Sequence, residues 1–124
     1  MTRHILIVED NHDLRTILGF VLNHLGYKSV VVGSGTEAIA SVALSKPDLV
    51  LLDLKLPDMP GYSVAQAILG RPDSAHIPIV GYSAYSSAEE RENVLKAGMV
   101  DYLQKPVLAE QLKEIIEQYV QRGG

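Results

Sequence analysis

The chain has 124 residues, 11 Lys and Arg against 15 Asp and Glu, a formal net charge of −4 and no cysteine. This length fits one domain with its own core, and the missing cysteines exclude disulfides and thiolate metal sites. The chain lacks a basic cluster, an apolar stretch long enough for a membrane span and a signal-peptide pattern. We therefore expect a cytoplasmic globular domain that contacts neither nucleic acid nor membrane directly.

The first half of the chain predicts two strand–helix units. An apolar run at 5–8 is typical of a parallel strand buried on both faces, and a similar run follows at 29–32. Between them lies a helical stripe with spacings of three and four that Gly26 ends: Leu14, Ile17, Leu18, Val21, Leu22 and Leu25. A capping box formed by Ser34 and Glu37 predicts the second helix. Its inward residues are expected to be Ala38, Ile39, Val42 and Ala43.

The second half predicts three more units of the same kind. Strands are expected at 49–52 and 77–80, with a weaker one at 102–104, and a less sharply patterned helix at about 61–69. Overlapping capping boxes at 86–90 predict the start of the fourth helix, and Gly98 is placed to end it. The last helix is expected to bury Leu108, Leu112, Ile115, Ile116 and Tyr119.

Five alternating strands and helices predict an α/β fold with a parallel sheet covered on both faces. Right-handed crossovers leave few topologies, and one common doubly wound strand order is 2-1-3-4-5. The apolar pattern alone does not choose this order.

Ionisable and hydroxyl side chains follow the apolar runs. Glu9 and Asp10 follow the first run, Asp53 the third, Ser83 the fourth and Lys105 the fifth. In open α/β sheets ligands bind beyond the carboxyl ends of the strands, where the strand order reverses. With the order 2-1-3-4-5, the three carboxylates would converge at that point.

Three neighbouring carboxylates repel one another and need positive charge nearby. Mg²⁺ takes oxygen ligands, and Lys105 offers a mobile point charge. The same cations would stabilise a transferring phosphoryl group, with Asp53 as nucleophile and Ser83 as a hydrogen-bond donor. Taken singly, the acidic pair Glu9 and Asp10 is also typical of a helix-capping loop. Asp53, Asp58 and Asp101, each taken alone, are typical of turn residues. The combination favours a site.

Four segments, in this order, resemble the response-regulator receiver domain of two-component signalling: ILIVEDN at 5–11, PDLVLLDLKLPDMPG at 47–61, IPIVGYSA at 77–84 and AGMVDYLQKP at 97–106. The resemblance covers essentially the whole chain, 1–124. It implies a flavodoxin-like fold with strand order 2-1-3-4-5 and five helices. It also implies Mg²⁺ as cofactor, with Mn²⁺ as a substitute, and phosphoryl transfer from a sensor histidine kinase or histidine phosphotransfer protein. Such a domain catalyses its own phosphorylation and dephosphorylation but is a signalling module, either alone or within a larger regulator or hybrid kinase.

The resemblance also implies roles for individual positions. Asp53 matches the phosphoacceptor. The metal would be held by Glu9, Asp10, Asp53 and the backbone carbonyl of Lys55. Ser83 matches the hydroxyl residue that reorients toward the phosphoryl group, Tyr102 the aromatic switch residue and Lys105 the lysine that pairs with the phosphoryl group. The bond between Lys105 and Pro106 matches one that is usually cis. The face of the fourth helix, fifth strand and fifth helix is expected to bind an effector or form a phosphorylation-dependent dimer.

Some positions depart from the commonest family pattern. Glu9 stands where Asp is frequent, which suggests metal contact partly through water, and Lys55 places a cation at the site mouth. Tyr82 and Tyr85 flank Ser83, and Tyr85 is placed to shield the phosphoryl group. The main alternative is a pseudo-receiver that binds partners without phosphorylation. A flavodoxin-type binder needs a hydroxyl- or glycine-rich loop after the first strand, where this chain has the acidic segment 9–13. A haloacid-dehalogenase-type phosphatase needs an Asp-x-Asp motif after that strand, and a P-loop enzyme needs a Gly-rich loop that ends in Lys-Ser/Thr; the sequence has neither.

Overall fold

The computed structural model describes residues 3–84 and 87–120. Strands and helices alternate along these residues. The strands are β1 His4–Val8, β2 Lys28–Val32, β3 Leu49–Asp53, β4 Ile79–Ser83 and β5 Asp101–Gln104. The helices are α1 His12–His24, α2 Gly35–Ser45, α3 Gly61–Leu69, α4 Ala88–Lys96 and α5 Ala109–Tyr119. Within the same residues, no helix combines the length and apolar character that crossing a membrane requires.

The five strands form one parallel sheet in the order β2-β1-β3-β4-β5, which confirms the expected doubly wound α/β fold. β3 lies at the centre, and β1 pairs with β2 on one side and with β3 on the other. The registers bring Val8 level with Leu52, and Asp53 level with Tyr82. The carboxyl ends of β1, β3 and β4 therefore meet at one edge of the sheet.

Strand alternation divides the core into two clusters because successive side chains point to opposite faces. On β1, Ile5 and Ile7 pack with α1 and α5, whereas Leu6 and Val8 pack with α2, α3 and α4. We call these the α1/α5 face and the α2–α4 face. The side chains of these four β1 residues are at most 1% exposed. Burial on both faces explains why the central strands read as continuous apolar runs.

The fourth strand lies further along the chain than the predicted 77–80. Pro78 has no N–H to donate to a neighbouring strand, and β4 begins at Ile79. It continues through Gly81 and Tyr82, which pair with β3 and β5 although neither extends the apolar run. Ser83 is consequently the last residue of the strand rather than the first residue after it.

The helix starts confirm part of the predicted capping. The Ser34 hydroxyl accepts a hydrogen bond from the Glu37 amide at 3.2 Å, and the Ser87 hydroxyl accepts one from the Glu90 amide at 3.0 Å. In a capping box the glutamate carboxylate also accepts a hydrogen bond from the amide of the cap residue. Here the two glutamate carboxylates accept other hydrogen bonds instead. The Glu37 carboxylate accepts from the Ser34 hydroxyl, and the Glu90 carboxylate accepts from Tyr62 at 2.8 Å. Ser86 lies outside the described residues.

Three apolar residues expected to face inward are exposed. Ile17 and Ala43 lie at the margins of their stripes, and Leu108 is the residue before α5 begins, 60% exposed. The predicted helix ends are confirmed, since Gly26 and Gly98 follow α1 and α4 with φ of +93° and +94°. Such positive φ angles favour glycine after a helix.

Candidate functional site

The predicted site residues lie together at the carboxyl edge of the sheet. They line an open cavity of about 430 Å³, whose walls are Glu9, Asp10, Asn11, Asp53, Lys55, Ser83, Ala84 and Lys105. Each comes from a strand end or the loop directly after it. The sheet order therefore does what the sequence predicted: it brings groups distant in the chain into one small volume.

Three carboxylates form the acidic part of the site. Glu9 and Asp53 are buried, with 0% and 3% exposure, while Asp10 is exposed at the cavity mouth. One oxygen from each lies within 4.8 Å of the others. An all-oxygen set of this kind suits a hard divalent cation such as Mg²⁺, which takes one or two carboxylates and several waters. The donor chemistry therefore fits the implied metal.

Lys105 supplies positive charge to two of these carboxylates. Its Nζ lies 2.9 Å from Asp53 Oδ2 and 3.0 Å from Glu9 Oε1. Burial lowers the pKa of Lys105, but its hydrogen bonds to Asp53 and Glu9 outweigh burial, so the pKa lies above its usual value. The ammonium is thus fully charged at neutral pH. Its backbone N–H donates to the carbonyl of Ser83 at 2.7 Å, which fixes the start of the side chain beside the site.

Both oxygens of Asp53 accept hydrogen bonds. Oδ2 accepts from Lys105, and Oδ1 accepts from the Lys55 backbone N–H at 2.9 Å. Burial raises the pKa of Asp53 and the charge of Glu9 adds to the effect, while the hydrogen bonds from Lys55 and Lys105 oppose it. The net result is a raised pKa. A carboxylate accepts about four hydrogen bonds or metal contacts, so Asp53 keeps capacity for further ligands.

The loop after β3 is held close to Asp53 by Gly61. A Cβ atom on Gly61 would lie 2.6 Å from the Asp53 backbone oxygen and 2.7 Å from Leu54 Cα. The glycine is needed here for this close backbone approach and not for a turn. Asp58 lies in a bend of the same loop, as the sequence suggested, but its side chain has a further role. It accepts hydrogen bonds from the amides of Gly35 and Thr36, and so caps α2.

Tyr82 belongs to the site, although the sequence identifies it only as a neighbour of Ser83. It is fully buried, and its hydroxyl donates to Glu9 Oε1 at 2.6 Å. Burial by itself raises the pKa of Glu9, but the hydrogen bonds from Tyr82, Asn11 and Lys105 outweigh it, and the pKa lies below its usual value. Burial and the adjoining Glu9 carboxylate raise the pKa of Tyr82.

Ser83 and Tyr102 form a separate pair on the other side of the site. Their hydroxyl oxygens lie 2.8 Å apart, and either can donate. Tyr102 is 6% exposed and packs in the α2–α4 cluster, so this aromatic residue points inward in the structure. The Lys105–Pro106 bond is cis, as the resemblance implies. Tyr85, expected to shield a phosphoryl group, lies outside the described residues.

Comparison with known proteins agrees with this arrangement. The response regulator receiver domain family matches residues 5–117. The chain is 35% identical to the Salmonella typhi sensor histidine kinase RcsC over 118 residues, which are 95% of this chain and 12% of that protein. It is 28% identical to the polar-differentiation response regulator DivK of Brucella ovis over 120 residues, covering 97% of this chain and 98% of that one.

A solved structure shows the same likeness. The receiver domain of a Pseudomonas aeruginosa sensor histidine kinase is 34% identical, has a TM-score of 0.89 and covers 97% of this chain and 98% of its own. Its structure contains a magnesium ion coordinated in the active site cleft. The fold and the carboxyl-edge site thus define a doubly wound α/β domain with an acidic site where its strand order reverses. The chain belongs to the response regulator receiver domain family of two-component signalling, whose members partner with histidine kinases and effectors.

Proposed function

We propose that residues 1–124 form one phosphoacceptor receiver domain, with Asp53 as the residue that takes the phosphoryl group. The observation that carries this proposal is the buried Asp53 carboxylate, 2.9 Å from the Lys105 ammonium and grouped with Glu9 and Asp10. Phosphoryl transfer to a carboxylate requires a nucleophile, fixed positive charge and oxygen ligands for a divalent metal. The site offers all three.

The proposed donor is a phosphohistidine on a sensor histidine kinase or a histidine phosphotransfer protein. A carboxylate oxygen of Asp53 attacks phosphorus in line. The new O–P bond forms as the N–P bond breaks, and the imidazole nitrogen leaves with the electron pair. Water later hydrolyses the acyl phosphate to inorganic phosphate and restores the carboxylate. In each cycle Asp53 is phosphorylated once and then dephosphorylated, which suits a signalling module better than a turnover enzyme.

The proposed metal ligands are Glu9, Asp10, Asp53 and the backbone carbonyl of Lys55, with Mg²⁺ as the ion and Mn²⁺ as a substitute. When bound, the ion supplies positive charge against the phosphoryl oxygens. The magnesium in the Pseudomonas receiver domain supports this assignment. Lys105 would move its contact from Asp53 to a phosphoryl oxygen and so neutralise charge that builds up during transfer.

The signal would leave the site through Ser83 and Tyr102. Their hydroxyls lie 2.8 Å apart, with no fixed direction of donation. An anionic phosphoryl oxygen only accepts hydrogen bonds, so its arrival would make Ser83 the donor to it. Tyr102 would then donate to Ser83. This ordered series of hydrogen bonds would bias the packing of β5 and its neighbouring helices toward one of two states, as in a switch.

The proposed output surface is the face of α4, β5 and α5. Leu95 on α4 and Leu108 at the start of α5 are 47% and 60% exposed, which supports a binding role. The effector, or a second phosphorylated copy in a dimer, would contact this face. Because the kinases that make phosphohistidine use ATP, we place this activity in the cytoplasm.

The test is intact mass spectrometry after incubation with acetyl phosphate. The wild-type chain with Mg²⁺ should gain one phosphoryl group, and the gain should be absent with chelator and in Asp53→Asn. Replacing Mg²⁺ by Mn²⁺ should preserve it. Asp73→Asn is the matched control, since Asp73 is a 43% exposed carboxylate with no part in the site. Labelling of Asp53→Asn at the wild-type rate would refute the assignment, and no gain in any early sample would favour a pseudo-receiver.

A further inference from the structure

Tyr82 touches both the acidic and the basic part of the site, yet none of the roles above uses it. Its hydroxyl donates to Glu9 Oε1 at 2.6 Å. The Nζ atom of Lys105 lies 4.8 Å from the centroid of its ring, within range of a cation–π interaction. The ring is fully buried in the α1/α5 cluster, so its position is set by the core rather than by the loops.

Glu9 needs a rigid partner more than a shorter acid would. Its side chain has one more rotatable bond than Asp, and its carboxylate is 0% exposed. Oε2 accepts from the Asn11 N–H at 2.9 Å, while Oε1 accepts from Tyr82 and also from Lys105 at 3.0 Å. Asn11 lies in a loop, and Lys105 is shared with Asp53.

The hydrogen bond from the Tyr82 hydroxyl is therefore the one that ties the Glu9 carboxylate to a residue of the core. A length of 2.6 Å is typical of a strong hydrogen bond from a hydroxyl to a carboxylate. Partners of this kind fix the orientation of metal-ligating side chains and are part of what sets metal affinity.

We propose that Tyr82 is a positioning residue with two separable actions. Its hydroxyl holds the Glu9 carboxylate in place for the divalent ion, and its ring supports the Lys105 ammonium next to Asp53. The inference deepens the proposed function and rests on it. It explains how a site with Glu9 in place of the shorter acid keeps that carboxylate in a defined position.

Two substitutions separate these actions. Tyr82→Phe removes the hydroxyl and keeps the ring, so Mg²⁺ affinity should fall about tenfold, as expected for loss of such a partner. The phosphorylation rate at saturating Mg²⁺ should stay within about twofold, because the ring that supports Lys105 remains. Tyr82→Leu removes both, so the rate at saturating Mg²⁺ should fall as well. If Tyr82 had only a structural role, Tyr82→Phe would not lower the Mg²⁺ affinity while leaving the phosphorylation rate at saturating Mg²⁺ unchanged.

The measurement is direct Mg²⁺ binding by calorimetry on the full chain, with the acetyl phosphate rate measured in parallel. Tyr119→Phe is the matched control, since the Tyr119 hydroxyl also bonds a carboxylate, Asp101, at 2.9 Å, away from the cavity. A double-mutant cycle uses Glu9→Asp, whose shorter side chain places its carboxylate out of reach of the Tyr82 hydroxyl. In that background Tyr82→Phe should change the affinity less than about twofold, because the coupled partner is gone.

The wild-type chain gives a second test that needs no substitution. The Tyr82 hydroxyl proton should exchange slowly and give a downfield NMR resonance that persists, shifted, when Mg²⁺ is added. If that resonance disappears on Mg²⁺ binding, or if Tyr82→Phe binds Mg²⁺ as tightly as wild type, the positioning role is refuted while the proposed function stands. Failure of the wild-type chain itself to bind Mg²⁺ would refute both.

Discussion

Lys105 joins two buried carboxylates, and its removal should be costly for folding. At an effective dielectric constant of about 20, each contact near 3 Å corresponds to about 5 kcal/mol of gross attraction. Desolvation of the ammonium offsets much of this. Removing one partner of a buried ion pair typically costs about 3–5 kcal/mol. Because the Lys105 side chain keeps 22% exposure, we expect about 3 kcal/mol for Lys105→Met, at the lower end of that range.

The pH for the assay follows from the pKa of Lys105, which is raised above its ordinary value of 10.5. A raised lysine pKa contributes stability that is fully present below the unfolded value and is lost as pH rises through the folded value. The measurement is therefore made at pH 7, by urea unfolding without added metal. Added Mg²⁺ should stabilise Lys105→Met more than wild type, because the uncompensated carboxylates bind the cation more tightly.

Lys113→Met is the matched control, since Lys113 lies exposed on α5. It should change the free energy of unfolding by less than about 0.5 kcal/mol, as for most surface substitutions. If Lys105→Met costs less than about 1 kcal/mol, or no more than the control, then the ammonium does not hold the carboxylates together as argued.

Three further predictions concern the same edge of the sheet. Because the pKa of Asp53 is raised, its negative charge destabilises the fold once pH exceeds the ordinary value of 3.8. Without metal, Asp53→Asn should therefore raise the midpoint of thermal unfolding at pH 7. A midpoint at or below that of the wild type would contradict this. The amides capped by Asp58 lower its pKa to about 2 from 3.8, so Asp58→Asn should lower the midpoint at neutral pH. That difference should close as pH falls from 3.8 toward 2, and a pH-independent difference would argue against the cap. Gly61→Ala should cost about 1–3 kcal/mol in urea unfolding, because a Cβ there meets backbone atoms. Gly19→Ala in α1, whose Cβ would meet only a side chain at 3.6 Å, should instead stabilise.

The sheet and most of the site were predictable because they depend on local patterns. Apolar runs buried on both faces identify parallel strands, and the residues after them must meet at one edge. The position of β4 was not predictable in the same way. Gly81 and Tyr82 do not continue an apolar run, and their burial is fixed by pairing with β3 and β5. The strand order itself came from the family resemblance.

Tertiary hydrogen bonds were the least visible part of the sequence. The Asp58 carboxylate accepts a hydrogen bond from the Thr36 amide at the start of α2, and the two residues lie more than 20 positions apart. Local turn chemistry predicts instead that an Asp bonds its own neighbouring backbone. Glu90 gives a second case, since its carboxylate accepts a hydrogen bond from the Tyr62 hydroxyl instead of completing the predicted capping box. Short polar motifs specify which groups need partners, while the fold decides which partners are near.

Strand alternation explains how the site is divided and gives the signal that would have found Tyr82. On β1 the odd positions face α1 and α5, so Glu9 continues the row of Ile5 and Ile7. On β3 the same face carries Leu51 and then Asp53. On β4 it carries Val80 and then Tyr82. Glu9, Asp53 and Tyr82 therefore share one side by parity alone. Tyr102 packs on the other side, in the α2–α4 cluster, and its hydroxyl lies beside that of Ser83. A phosphoryl group on Asp53 would lie at the edge where the two faces meet. Changes at Tyr82 should then alter metal binding and transfer but leave the Ser83–Tyr102 bond intact, and changes at Tyr102 should do the reverse.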